Sequence, residues 1–150
     1  SGLKRPISYE VFVARKLSFA KLMKLTDSEV IGIPSGPFLY PPDAVSINLK
    51  GDTGIYWFKD GQKRFVSAFV FKQRGVGNFP RVSIGADEFN QIPTATPFPP
   101  KDGIIIKGDQ STAIYRIQNG LKVFLTAAQY KQLGYPRATV LPQAEVDSYQ

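Results

Sequence analysis

The chain has 150 residues, 43% hydrophobic and 21% charged, with 19 Lys and Arg against 12 Asp and Glu for a formal net charge of +7. It contains neither cysteine nor histidine, which excludes Ser-His-Asp and Cys-His nucleophiles, disulfide frameworks, zinc fingers and haem ligation by the usual residues. The balance is that of a folded chain rather than a disordered tail, at a length for one domain or a short repeat array.

Shifting the chain by 59 residues brings it onto itself. Gly2-Leu3-Lys4-Arg5-Pro6-Ile7-Ser8 falls on Gly61-Gln62-Lys63-Arg64-Phe65-Val66-Ser67, then on Gly120-Leu121-Lys122-Val123-Phe124-Leu125-Thr126. Ser28-Glu29-Val30 matches Asp87-Glu88-Phe89, and Ile33-Pro34 matches Ile92-Pro93. In the third copy the Glu145-Val146 pair arrives two residues early. The period assigns residues 1–50 to copy one, without its first strand, residues 51–107 to copy two, and residues 108–150 to a truncated copy three. These make about two and a half copies, expected to form together one compact repeat domain.

In chain order, copy one opens inside its turn at Gly2, and its first helix meets Lys16 where the other copies have a helix-ending glycine. Thr26-Asp27-Ser28-Glu29 is a capping box that starts a second helical turn. Proline-rich links cover residues 34–42 and 93–100, and proline makes such links stiff and extended. In copy two, residues 55–59 and 62–66 read as strands around Asp60-Gly61. In copy three, residues 114–118 and 121–125 do so around Asn119-Gly120. Both dipeptides favour a tight hairpin turn with positive φ. Ser67 and Thr126 stand as N-caps of helices over residues 68–74 and 127–133, which Gly75 and Gly134 end. Short extended pieces follow at residues 81–84 and 138–141. The fold class is therefore α+β: tandem β-hairpins, each followed by short helices.

The recurring Tyr, Asp/Asn-Gly-x-Lys-Arg, Ser, Phe and Gly resemble tandem hairpin–helix repeats of exported bacterial proteins associated with the cell surface or cell wall. Tyr56, Gly61, Lys63, Arg64, Ser67, Phe71, Gly75 and Glu88 carry the resemblance. Copy three keeps Tyr115, Gly120, Lys122, Thr126, Gly134, Tyr135 and Glu145 but has Val123 in place of the arginine. The resemblance implies an envelope or extracellular accessory module of a bacterium, with any signal or anchor outside this stretch. It names no catalytic residue and no ligand.

The basic pairs Lys4-Arg5 and Lys63-Arg64 recur in register. Functionally they would grip phosphate or carboxylate groups along a polymer. Structurally, each arginine would lay its stem over the hairpin and pair with Glu29 or Glu88. Arg15, Lys16, Lys21 and Lys24, set around Phe12 and Phe19 with no acidic residue between them, form the best candidate for an anion-facing surface. Trp57, the one tryptophan, would either stack on a sugar or base or pack on a neighbouring repeat. The carboxylates recur with the scaffold and read as structural, so no catalytic, metal or cofactor site is assigned and the chain is not expected to be an enzyme.

The leading expectation is a non-catalytic envelope binding module that engages an anionic or glycan polymer, or tethers a larger protein. The alternatives are a structural subunit that assembles by strand complementation of its incomplete first repeat, with another chain meeting an exposed strand edge, and a binder of single-stranded nucleic acid. No apolar run exceeds about four residues, against roughly 20 for a membrane span.

Overall fold

The computed structural model describes residues 2–149. Its elements are, in order, α1 (Tyr9–Ala14), a 3-10 turn (Phe19–Lys21), α2 (Asp27–Ile31), β1 (Val45–Leu49), β2 (Tyr56–Lys59), β3 (Gln62–Phe65) and α3 (Ala68–Arg74). A second 3-10 turn (Val76–Asn78), β4 (Arg81–Ile84), α4 (Ala86–Gln91), β5 (Ile105–Gly108), β6 (Ile114–Gln118), β7 (Leu121–Phe124), α5 (Ala127–Gln132), β8 (Thr139–Leu141) and α6 (Gln143–Ser148) follow. The α+β class stands as read. Two units share the chain, one built from Ser1–Lys63 and Phe79–Thr94, the other from Arg64–Asn78 and Ala95–Gln150. Their borders fall at other places than 50/51 and 107/108.

The two sheets have the same plan, with strand orders β3-β2-β1-β4 and β7-β6-β5-β8. In each, an inner strand runs antiparallel to the hairpin and parallel to a later strand. Thus Ile47 lies opposite Tyr56 on one side and Val82 on the other, while Ile106 lies opposite Tyr115 and Thr139. The inner strands β1 and β5 are not foreseen by the sequence, whose reading assigns no element to their residues.

Local chemistry fixes the elements. Asp60-Gly61 and Asn119-Gly120 have φ of 53°, 72°, 52° and 77°, the left-handed pair a two-residue hairpin needs. Asp43 and Asp102, which follow the proline links, hold these turns from outside. Asp43 Oδ1 accepts from the Asp60 N–H at 2.9 Å. The two oxygens of Asp102 accept from the Asn119 and Gly120 N–H groups, each at 3.0 Å. The helices have five to seven residues, too short to stand alone, and four carry a side-chain N-cap: Ser8, Thr26, Ser67 and Thr126.

In the first unit, Val11, Val45, Ile47, Phe58, Val82, Ile84, Phe89 and Ile92 form one buried cluster. Alternate residues of β1, β2 and β4 supply one face of the sheet, and α1 and α4 cover it. Each such side chain contributes about 1.5–3 kcal/mol by leaving water. In the second unit Ile106, Ile117, Leu141 and Val146 are buried, and α6 packs on β5.

Candidate docking surface

The turn lysines reach carbonyls at the ends of the second helices, and Lys122 also has the Asp147 carboxylate of α6 at 3.8 Å. Lys63 Nζ is buried and donates to the Phe89 carbonyl at 2.8 Å and to the Ile92 carbonyl, 4.4 Å from the centre of the Phe89 ring. Those oxygens end α4, where helix carbonyls lack intrahelical partners and carry partial negative charge. Lys4 Nζ does the same for Val30 of α2 at 2.9 Å, and Lys122 Nζ for Val146 of α6 at 3.0 Å. Burial pulls the Lys63 amine below its ordinary pKa. The expected Glu29 and Glu88 pairing is corrected: Glu29 bonds its own cap residue Thr26 at 2.8 Å, and Glu88 is buried beside Ser8, its carboxyl pushed up by burial.

The arginines clamp the proline links. Arg15 Nε donates to the Tyr40 carbonyl at 2.6 Å and its NH2 to the Pro41 carbonyl at 3.3 Å. Arg74, which is 59 residues on, gives 2.6 and 2.8 Å to Pro99 and Pro100. Arg5 reaches the Pro37 and Phe38 carbonyls at 3.0 and 2.7 Å, and Arg64 takes the Thr96 carbonyl and hydroxyl at 3.1 and 2.8 Å. A proline-rich segment has few N–H groups with which to enter a sheet, and the guanidinium fork supplies donors in a fixed geometry. Arg74 is the functional partner that sequence reasoning missed, although the 59-residue shift superposes it on Arg15.

Of the eight basic residues singled out, Lys4, Arg5, Arg15, Lys63 and Arg64 are thus committed to backbone carbonyls. Lys16, Lys21 and Lys24 are exposed and, among the described residues, form no side-chain hydrogen bond or ion pair. Trp57 is 8% exposed, and its ring meets Phe79 edge-on at 4.9 Å. Of the two readings given for it, this burial favours packing over stacking, and the ring it meets lies in its own copy. Among the described residues no three acidic groups come together as a metal site. A cavity lined by Phe65, Ser67, Pro97, Glu145 and Tyr149 holds a closed network, in which Glu145 Oε1 accepts from Ser67 at 2.5 Å and from Tyr149 at 2.6 Å.

The feature that stands out lies in copy one. Every residue from 15 to 32 is exposed, although the stretch contains Leu17, Phe19, Leu22, Met23, Leu25, Val30 and Ile31. At the matching positions of copy two, Val76, Val82, Ile84 and Phe89 are core. Met23 is 85% exposed against 4% for Val82, and Leu25 is 48% exposed against 0% for Ile84. Val30 is exposed where Phe89 is buried. Among the described residues, the N–H groups of Met23, Lys24 and Leu25 make no backbone hydrogen bond. The stretch is fixed at its ends: Leu22 and Thr26 are extended, and Thr26 with Glu29 closes a capping box on α2.

The chain matches no family model, no curated protein and no solved structure. No described helix is long and apolar enough to cross a membrane.

Proposed function

We propose that this chain is a non-catalytic docking module of a bacterial cell envelope, joining protein to protein through residues 15–32. The observation that carries the reading is the exposure of Met23, Leu25 and Val30, set against the burial of Val82, Ile84 and Phe89 at the same positions of copy two. An apolar strip next to unpaired backbone N–H groups is what strand addition uses, with main-chain bonds giving affinity and alternate side chains giving specificity. The envelope assignment rests on the resemblance of the repeat motif alone.

A second reading keeps the anionic wall polymer, supported by Lys16, Lys21 and Lys24, which have charge to offer. Single-stranded nucleic acid is less well supported, because Trp57 offers no platform. Sedimentation velocity across a concentration series, together with pelleting on purified protein-free cell wall at low and high salt, separates the readings. Association that Met23→Lys and Leu25→Lys abolish supports docking. Salt-sensitive pelleting that only charge removal at Lys16, Lys21 and Lys24 abolishes supports the polymer. Docking fails if the Met23 and Leu25 changes leave every association untouched.

A further inference from the structure

We infer that the exposed strip of copy one receives one particular occupant, the β-hairpin of a further repeat of this kind, its first strand laid parallel to residues 22–25. The inference rests on the docking reading and names what docks.

The chain displays the pairing of such an edge twice. The open edge of β4 is taken by β1, which runs parallel with Ile47 opposite Val82 and Leu49 opposite Ile84, while α1 packs on its buried side chains. β5 pairs with β8 in the same way, with Ile106 opposite Thr139 and Gly108 opposite Leu141. Residues 22–25 lie 59 positions before β4, and Leu25 directly precedes the cap of α2 as Ile84 directly precedes that of α4. Met23 and Leu25 therefore stand where the buried side chains of β4 stand.

The other side of the gap is also in place. Lys63 of β3 makes a parallel bridge to Thr94, and Lys4 makes the matching bridge to Ser35. In copy one the Lys4 N–H donates to Pro34 O at 2.9 Å, the Gly36 N–H donates to Lys4 O at 2.9 Å, and Lys4 Nζ holds α2. In the order β3-β2-β1-β4, copy one thus contains counterparts of both outer strands and of neither inner one. The opening is two strands wide, which is one hairpin.

A second folded copy supplies it only by opening one of its own sheets. Its β1 lies between β2 and β4, and its β5 lies between β6 and β8, so both inner strands already have two neighbours. The occupant is a hairpin not yet paired on its outer side, with apolar residues alternating as in Val45, Ile47 and Leu49.

The test grafts residues 42–60 of this chain directly ahead of Gly2, so that Asp60 and Gly2 rebuild the turn that Asp60 and Gly61 make. Amide hydrogen exchange is then read at Met23 and Leu25, whose N–H groups would face the grafted strand as those of Val82 and Ile84 face β1, with Lys24, whose N–H faces the other way, as the internal reference. Filling the gap should slow exchange at Met23 and Leu25 by about tenfold or more relative to the ungrafted chain. Introducing Leu25→Lys into the grafted chain should restore fast exchange while α1 and the first sheet stay protected. Unchanged exchange at these amides in a grafted chain whose first sheet remains protected overturns the inference. If the graft fails in this way while Leu25→Lys still abolishes association of the ungrafted chain, docking survives and only the occupant is wrong. If Leu25→Lys changes neither, docking itself falls.

Discussion

The Ser67 hydroxyl donates to Glu145 at 2.5 Å across 78 residues of chain, while accepting the Val70 N–H that caps α3. One side chain therefore begins a helix and fastens a second, distant one. Ser67→Ala loses both bonds and should cost about 2 kcal/mol, a cap plus a hydrogen bond to a charged acceptor. In a double-mutant cycle with Glu145→Ala, urea unfolding should return a coupling of about 1 kcal/mol. A coupling near zero would show that the two residues act independently.

The three turn lysines should differ in stability by burial rather than by charge. Lys63 is buried on two carbonyls, Lys122 is half-buried and shares Asp147 at 3.8 Å, and Lys4 lies at an exposed bond. Replacement by methionine should cost about 2–3 kcal/mol at Lys63, less at Lys122, and under about 1 kcal/mol at Lys4. Thermal midpoints of the three variants give the order directly. An inverted order would refute the helix-end role.

Lys16 has φ of 55° where Gly75 and Gly134 have 64° and 74°. A side chain in the left-handed region is strained, and glycine is not. Lys16→Gly should therefore stabilise the chain by about 0.5–1 kcal/mol, less whatever the more flexible unfolded chain takes back. It also removes one cation from the candidate polymer patch, so any loss of wall binding must be compared with Lys16→Gln.

Glu88 provides a pH test. Its carboxyl is raised chiefly by burial, with Glu10 adding to the rise while Ser8 and Lys50 oppose it, and one carboxyl oxygen has no partner among the described residues. A raised folded-state pKa means the protonated form is favoured in the fold. Its stabilising contribution is complete below the ordinary pKa near 4.5 and is lost as pH rises through the raised value. The difference in unfolding free energy between Glu88→Gln and the parent should therefore grow in favour of the variant as pH rises above the ordinary carboxyl range. Taking the difference removes Glu29, whose lowered pKa pushes the other way. A flat difference curve would mean that Glu88 is solvated.

What could be read from residues alone was local. Asp60-Gly61, Asn119-Gly120 and the Ser67 and Thr126 caps act through bonds within four residues of chain, so their chemistry is written next to them. The inner strands β1 and β5 were missed because runs this short, with three and two apolar residues, suit a strand or a connecting loop equally. What makes them strands is a parallel partner such as Val82, 35 positions from Ile47. The lysines and arginines were recognised as recurring, but their acceptors are backbone carbonyls, which carry no residue-type signature. A search for carboxylate partners was bound to choose Glu29 and Glu88. The docking strip was legible only by comparison, because Met23 and Leu25 look like ordinary core until Val82 and Ile84 show what normally covers them.

The division of the first unit into Ser1–Lys63 and Phe79–Thr94 has a consequence for how the protein is made. Synthesis proceeds from the N-terminus, so α3, which belongs to the other unit, leaves the ribosome before β4 exists. β1 must wait for its parallel neighbour until residue 84 has emerged, and Lys63 waits for its acceptors until residue 92. During that interval the nascent chain carries an inner strand with one edge open, at the stage of life when unpaired edges are most easily captured by the wrong neighbour.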